Sequence, residues 1–136
     1  MAAGYAGTPL AKKLGIKPGF SILLAQQPAH YLDLFAEWPE NTQMLDGPAP
    51  ETADFIYLFC TTFQELEEMA PILKQALKKT GMLWVSWPKG TSDIPTDLKR
   101  DPIRNLLLDL GLVDAKVAAI DANWSALKFV YRLKDR

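Results

Sequence analysis

Lys89 and Asp121 are the residues whose types and placement could form a site. Each follows a strand-like apolar run: Lys89 comes after "MLWVSW" and opens the polar stretch "KGTSDIPTD", and Asp121 closes "LVDAKVAAID". If those runs are parallel strands of one sheet, both residues lie on the rim at the strands' carboxyl ends, where open α/β sheets bind ligands. An ammonium beside a carboxylate there could hold a polar substrate or move a proton. The other strand ends add Gln26 and Gln27 after "FSILLA", Thr61 and Thr62 after "ADFIYLFC", and Trp124 and Ser125 beside Asp121.

Each of these residues also has a plainer role. Lys89 can be solvated or pair with Asp93 or Asp97 to order its own loop. Asp121, Asn123 and Ser125 are turn-forming types. Trp124 can cap the edge of the core or offer a flat platform to a ligand or partner. Cys60 precedes a helix start, where a thiol pKa can fall, yet a small apolar residue ending a buried strand explains it as well. His30 could face the same rim as an acid or base, or be exposed.

Composition narrows the classes. The chain has 136 residues, a formal net charge of -1, one cysteine and one histidine. An intramolecular disulfide and a cysteine-rich zinc site are excluded, and no metal site is expected. No overall basic field argues for nucleic acid. The opening "MAAGYAGTPLAKKLG" has no apolar signal core, and no apolar run reaches the roughly 18 residues of a membrane span, so a cytoplasmic protein that does not bind membranes is expected. No P-loop, nucleophile elbow or zinc motif occurs. Lys12, Lys13 and Lys17 form a small basic group on what reads as a solvated helix face.

Local signals set out the elements. Thr8 can cap a first helix that Pro9 begins and Gly15 ends. A strand over 20–25 precedes a helix over about 29–37, and "TQMLDG" is a short second strand. "ADFIYLFC" (53–60) is continuously apolar, as in a strand buried on both faces. Thr62 and Glu65 make a capping box, which predicts a helix from Phe63; Pro71 kinks or divides it, and Gly81 ends it. After "MLWVSW" and the loop, Asp101 caps a helix that Gly111 terminates. "LVDAKVAAID" and "ALKFVYRL" then form a hairpin, the second strand carrying the partly polar face of an edge or near-edge position.

This order predicts one α/β domain over 1–136: a three-layer, Rossmann-like, mostly parallel sheet with a C-terminal antiparallel β-hairpin. The run from "ADFIYLFC" through "APILKQALKKTGMLWVSW" to "WSALKFVYRL" resembles the second half of class I S-adenosylmethionine-dependent methyltransferases, with Lys79-Thr80-Gly81 in place of their Lys-Pro-Gly-Gly-like turn. That resemblance implies a methyltransferase-like fold whose cofactor lies over a glycine-rich turn after the first strand. Here Gln26, Gln27 and Pro28 stand there. It also implies an acidic residue at the end of the second strand to hold the ribose, the position of Asp46. Over the whole chain, "GYAGTPLAKKLGIKPG", "WVSWPKG", "TDL" and "KVAAIDANWSALKFV" resemble a family of small bacterial proteins known as a domain of unknown function, which implies a bacterial source and brings no catalytic residue.

The missing glycines and the lack of an acid–base constellation favour a non-catalytic binding or interaction module on a degenerate methyltransferase-like fold, with no cofactor and an unidentified small molecule or protein as partner. A homodimer through a sheet edge or aromatic patch is compatible with this. Two alternatives remain: a small-molecule enzyme with a site near Lys89 and Asp121, and a methyltransferase with an atypical cofactor loop.

Overall fold

The computed structural model describes residues 10–26 and 38–136. The expected cap at Thr8 and Pro9, the helix over 29–37, Gln27, Pro28 and His30 lie outside the described residues. The described elements are α1 (Leu10–Lys13), β1 (Ser21–Ala25), β2 (Gln43–Met44), β3 (Ala53–Phe59), α2 (Phe63–Ala76), β4 (Leu77–Pro88), α3 (Arg100–Asp109), β5 (Leu112–Ala119), β6 (Trp124–Tyr131) and a 3₁₀ turn at Leu133–Asp135.

The six strands form one sheet in the order β2-β1-β3-β4-β6-β5. β2, β1, β3 and β4 run parallel, and β6 is antiparallel to both β4 and β5. β3 is buried on both faces, and its side chains divide between them by parity. Ile56, Leu58 and Cys60 join Leu83, Val85, Trp87, Leu127 and Phe129 under α2 and α3. Phe55, Tyr57 and Phe59 join Trp84, Trp124 and Ala126 on the face that carries α1. These two cores, one on each face of the sheet, account for the continuous apolar runs of β3 and β4.

Helix boundaries follow local chemistry at three ends. α1 closes with the paired bonds Gly15 N to Lys12 O and Ile16 N to Ala11 O, Gly15 taking φ +95°, a Schellman ending. Gly111, at φ +99°, follows α3, its N–H bonding to Leu108 O. α2 begins at the predicted capping box, in which Glu65 N donates to the Thr62 hydroxyl and Thr62 N donates to the Glu65 carboxylate. Leu66, Ala70 and Leu73 then form its buried stripe. Pro71 sits on the exposed side, so its missing N–H neither divides the helix nor removes a buried hydrogen bond.

Two expectations need correction. α2 ends at Ala76, not Gly81, because fully buried Leu77 pairs with Ala53 and draws the chain into β4. Residues 78–81 then form a bulge against β3, where Lys78 pairs with Asp54 at 3.2 Å. The cap of α3 is Lys99, which makes no side-chain bond there, while Asp101 falls in the first turn. Leu98 is buried and Ile103 N already bonds to Lys99 O, so the helix starts before the acid. As expected, β6 takes a near-edge position, next to the edge strand β5. β6 reads as partly polar because Lys128, on the α1 side of the sheet, is only partly covered.

Candidate functional site

All the candidate residues that the structure describes lie at the carboxyl rim of β1, β3, β4 and β5, to which the start of β6 returns. Many of their polar groups are already committed. Thr61 donates through its hydroxyl and its N–H to the Glu65 carboxylate, at 3.1 and 3.2 Å. The Thr61 carbonyl accepts the Thr96 hydroxyl at 2.7 Å, and Phe63 N donates to the Asp97 carboxylate at 2.8 Å. The N-terminus of α2 is thereby filled by two carboxylates of the protein itself, and Thr61 and Thr62 serve to build it. Burial would raise the Glu65 pKa, but the four hydrogen bonds from Thr61 and Thr62 outweigh it and hold the group below its ordinary value.

That depression fixes the sign of a pH effect. A carboxylate whose pKa is lower in the folded chain stabilises above its unfolded pKa, and the contribution fades as pH falls through the folded one. Glu65→Gln is therefore expected to cost about 1 kcal/mol at pH 7, the usual worth of a helix cap. The cost should shrink as the pH is taken below 4.5. Urea midpoints of both proteins at pH 7 and at lower pH check this; a cost independent of pH contradicts it.

Cys60 is no nucleophile. Burial, and then the negative charge of Glu65, push its thiol pKa up to about 12, so it stays protonated in the wall under α2. Asp121 forms a turn: its carboxylate accepts Asn123 N at 2.8 Å and Trp124 N at 2.9 Å. Trp124 packs edge-on to Phe59, ring centres 5.2 Å apart, and is only 4% exposed, so it belongs to the core rather than to an open platform. Ser125 pairs with Trp87 in the β4–β6 ladder.

Two positions remain open. Gln26 is exposed at the end of β1 and takes φ +56°, a left-handed conformation usually left to glycine. It stands beside the point where the strand order reverses, since β2 lies on one side of β1 and β3 on the other. Asp46, exposed, follows β2, whose ladder continues through Leu45 N to Ile22 O.

Lys89 opens the second feature. Its backbone N–H bonds to Asn123 O, and its side chain faces a cavity of about 570 Å³ between the end of β4 and the start of α3. Trp87, Ile94, Leu98, Lys99 and Arg100 also line this cavity, and Asp121 does not. Lys89 thus shares this cavity with Lys99 and Arg100 and not with Asp121. Sequence reasoning missed that pair, although two basic residues at a helix start, where acids are favoured, were a signal.

No family model matches the chain, and no curated protein does. Solved structures do match. A SAM dependent methyltransferase from Aquifex aeolicus superposes with a TM-score of 0.57 at 19% identity, covering 87% of this chain and 85% of that one. Magnesium protoporphyrin IX methyltransferase from Synechocystis PCC 6803, with bound SAH, gives 0.55 at 14%, covering 85% and 75%. The putative methyltransferase of Haloferax volcanii, in complex with the Trm112 methyltransferase activator, gives 0.59 at 12%, covering 89% and 86%. The fold is that of class I methyltransferases. Among the described residues no helix is long and apolar enough to cross a membrane, and no group of His, Cys, Asp and Glu could hold a metal ion.

Proposed function

We propose that the chain is an S-adenosylmethionine-dependent methyltransferase that holds its cofactor over the carboxyl ends of β1, β2 and β3. The observation that carries this reading is Gln26 at φ +56° beside the strand-order reversal. Left-handed non-glycine residues cost about 1–3 kcal/mol and gather at ligand clamps. The residues present fit the group in two respects: the backbone turns left-handed after β1, where a ligand must lie close to the chain, and Asp46 offers an exposed carboxylate after β2.

When bound, the cofactor supplies an electrophilic methyl carbon on a sulfonium. Transfer from such a donor depends on holding the nucleophile in line, so the absence of a tuned acid or base among the described rim residues does not count against it. Asp46 would accept hydrogen bonds from the ribose hydroxyls, and the Gln26 turn would set the backbone against the ligand. The nearby cavity beyond β4 would hold the acceptor.

These structural likenesses support the methyltransferase alternative better than the non-catalytic module expected from the sequence. The module keeps one observation in its favour, that Gln26 carries a side chain where a glycine would leave room. Calorimetric titration with S-adenosylhomocysteine separates the two. The wild type is expected to bind, and Asp46→Asn to bind at least about tenfold more weakly, as for loss of a hydrogen bond to a charged group. An absence of binding at millimolar ligand would overturn the methyltransferase reading.

A further inference from the structure

The structure assigns the cavity beyond β4 to an acceptor that carries a carboxylate or phosphate on an apolar body about the size of one ring, an inference that rests on the methyltransferase reading. The cavity has two kinds of wall. Trp87, Ile94 and Leu98 make the apolar one, and Lys89, Lys99 and Arg100 the cationic one. Asp93 is a further lining charge, leaving a surplus of two positive charges. A volume of about 570 Å³ lies in the range of small-ligand sites.

The cations are not there to pair with the protein. Neither Lys89 nor Lys99 forms an ion pair with the described carboxylates. Arg100 lies 3.8 Å from Asp101, with both side chains mostly exposed, a contact of little strength. Asp97, the other acid of the loop, is bound to Phe63 N at the start of α2.

Nor do the cations suit their own helix. Lys99 is the cap of α3 and Arg100 its first residue, where the helix dipole disfavours positive charge. The fold places two carboxylates at the start of α2, and two cations with one acid, Asp101, at the start of α3. An arrangement that costs local stability yet faces a cavity is what a ligand of opposite charge would offset. The position suits an acceptor too. β4 is two strands from β1, a span of about 10 Å at ordinary strand spacing, so one molecule in the cavity can reach toward the crevice beside Gln26.

Amide shifts in a nitrogen–proton correlation spectrum test this on the full chain, with phenyl phosphate, benzoate and benzyl alcohol as probes. Either anion should shift residues 87–100, and the neutral alcohol should not. The relative strength of the two anions tells phosphate from carboxylate. The triple variant Lys89→Gln, Lys99→Gln, Arg100→Gln, at one half-buried and two exposed positions, should bind the better anion at least about tenfold more weakly. Equal binding by benzyl alcohol, an unchanged affinity in the triple variant, or shifts outside this segment would overturn the assignment. S-adenosylhomocysteine added to the same wild-type sample distinguishes the two failures. Shifts at Gln26 and Asp46 without any anion response would remove the anionic acceptor and leave methyl transfer standing. An anion response without them would remove methyl transfer and leave an anion pocket.

Discussion

Gly81→Val should unfold or nearly unfold the protein, and Gly81→Ala should already cost about 2–3 kcal/mol, the upper range for overpacking a buried site. Gly81 is buried inside β4, in the bulge opposite Ala53 and Asp54. A Cβ built there would stand 2.8 Å from the Leu77 Cδ1 and 3.0 Å from the carbonyl oxygens of Ala53 and Asp54. A leucine methyl can swing aside. Two backbone oxygens of a parallel ladder cannot, so relief requires parting β3 from β4. For a chain of this size a loss near 3 kcal/mol lowers Tm by on the order of 10 °C. Gly90→Ala is the control, because nothing lies within 4 Å of a Cβ there. A Gly81→Ala protein as stable as the Gly90→Ala protein would show that this bulge is wrongly placed.

Trp84→Ala is expected to cost about 3–5 kcal/mol, the range for emptying a large aromatic site. Trp84 is fully buried in β4, and its indole N–H donates to the Leu14 carbonyl at 3.0 Å. The side chain thus fills the core on the α1 face and also fastens the end of α1 to the centre of the sheet. Trp84→Phe separates the two roles: it keeps most of the volume and leaves the Leu14 carbonyl without that donor, at a cost of about 1–3 kcal/mol. Urea denaturation gives both values. Hydrogen exchange should show residues 10–16 loosened in both variants relative to β3. An alanine variant within 1 kcal/mol of wild type would contradict this packing.

What could be read from the sequence was local. The runs of β1, β3 and β4, the Thr62–Glu65 capping box, and the glycines closing α1 and α3 each carry their own signal within a few residues. What could not be read depended on distant pairs. The helix stops at Ala76 because Leu77 meets Ala53, 24 positions away, and nothing near Leu77 announces it. The order of β5 and β6 is fixed by the ladder between β6 and β4, which neither strand's own residues announce. The candidate site divides in the same way. Strand ends marked the rim correctly, but the engagement of Phe63 N by Asp97 spans 34 residues, and the gathering of Lys99 and Arg100 opposite Lys89 depends on how the loop folds back.

The methyltransferase reading predicts a specific consequence of cofactor binding that needs no knowledge of the acceptor. A ligand bound only by the folded state, at about 100 times its dissociation constant, adds about 2.7 kcal/mol of stability. Thermal unfolding of the wild type with and without S-adenosylmethionine and S-adenosylhomocysteine reads this as a rise in Tm of several degrees. That rise is the predicted result, and it should be smaller in Asp46→Asn at the same ligand concentration. An unchanged Tm with either ligand at millimolar concentration would contradict the account.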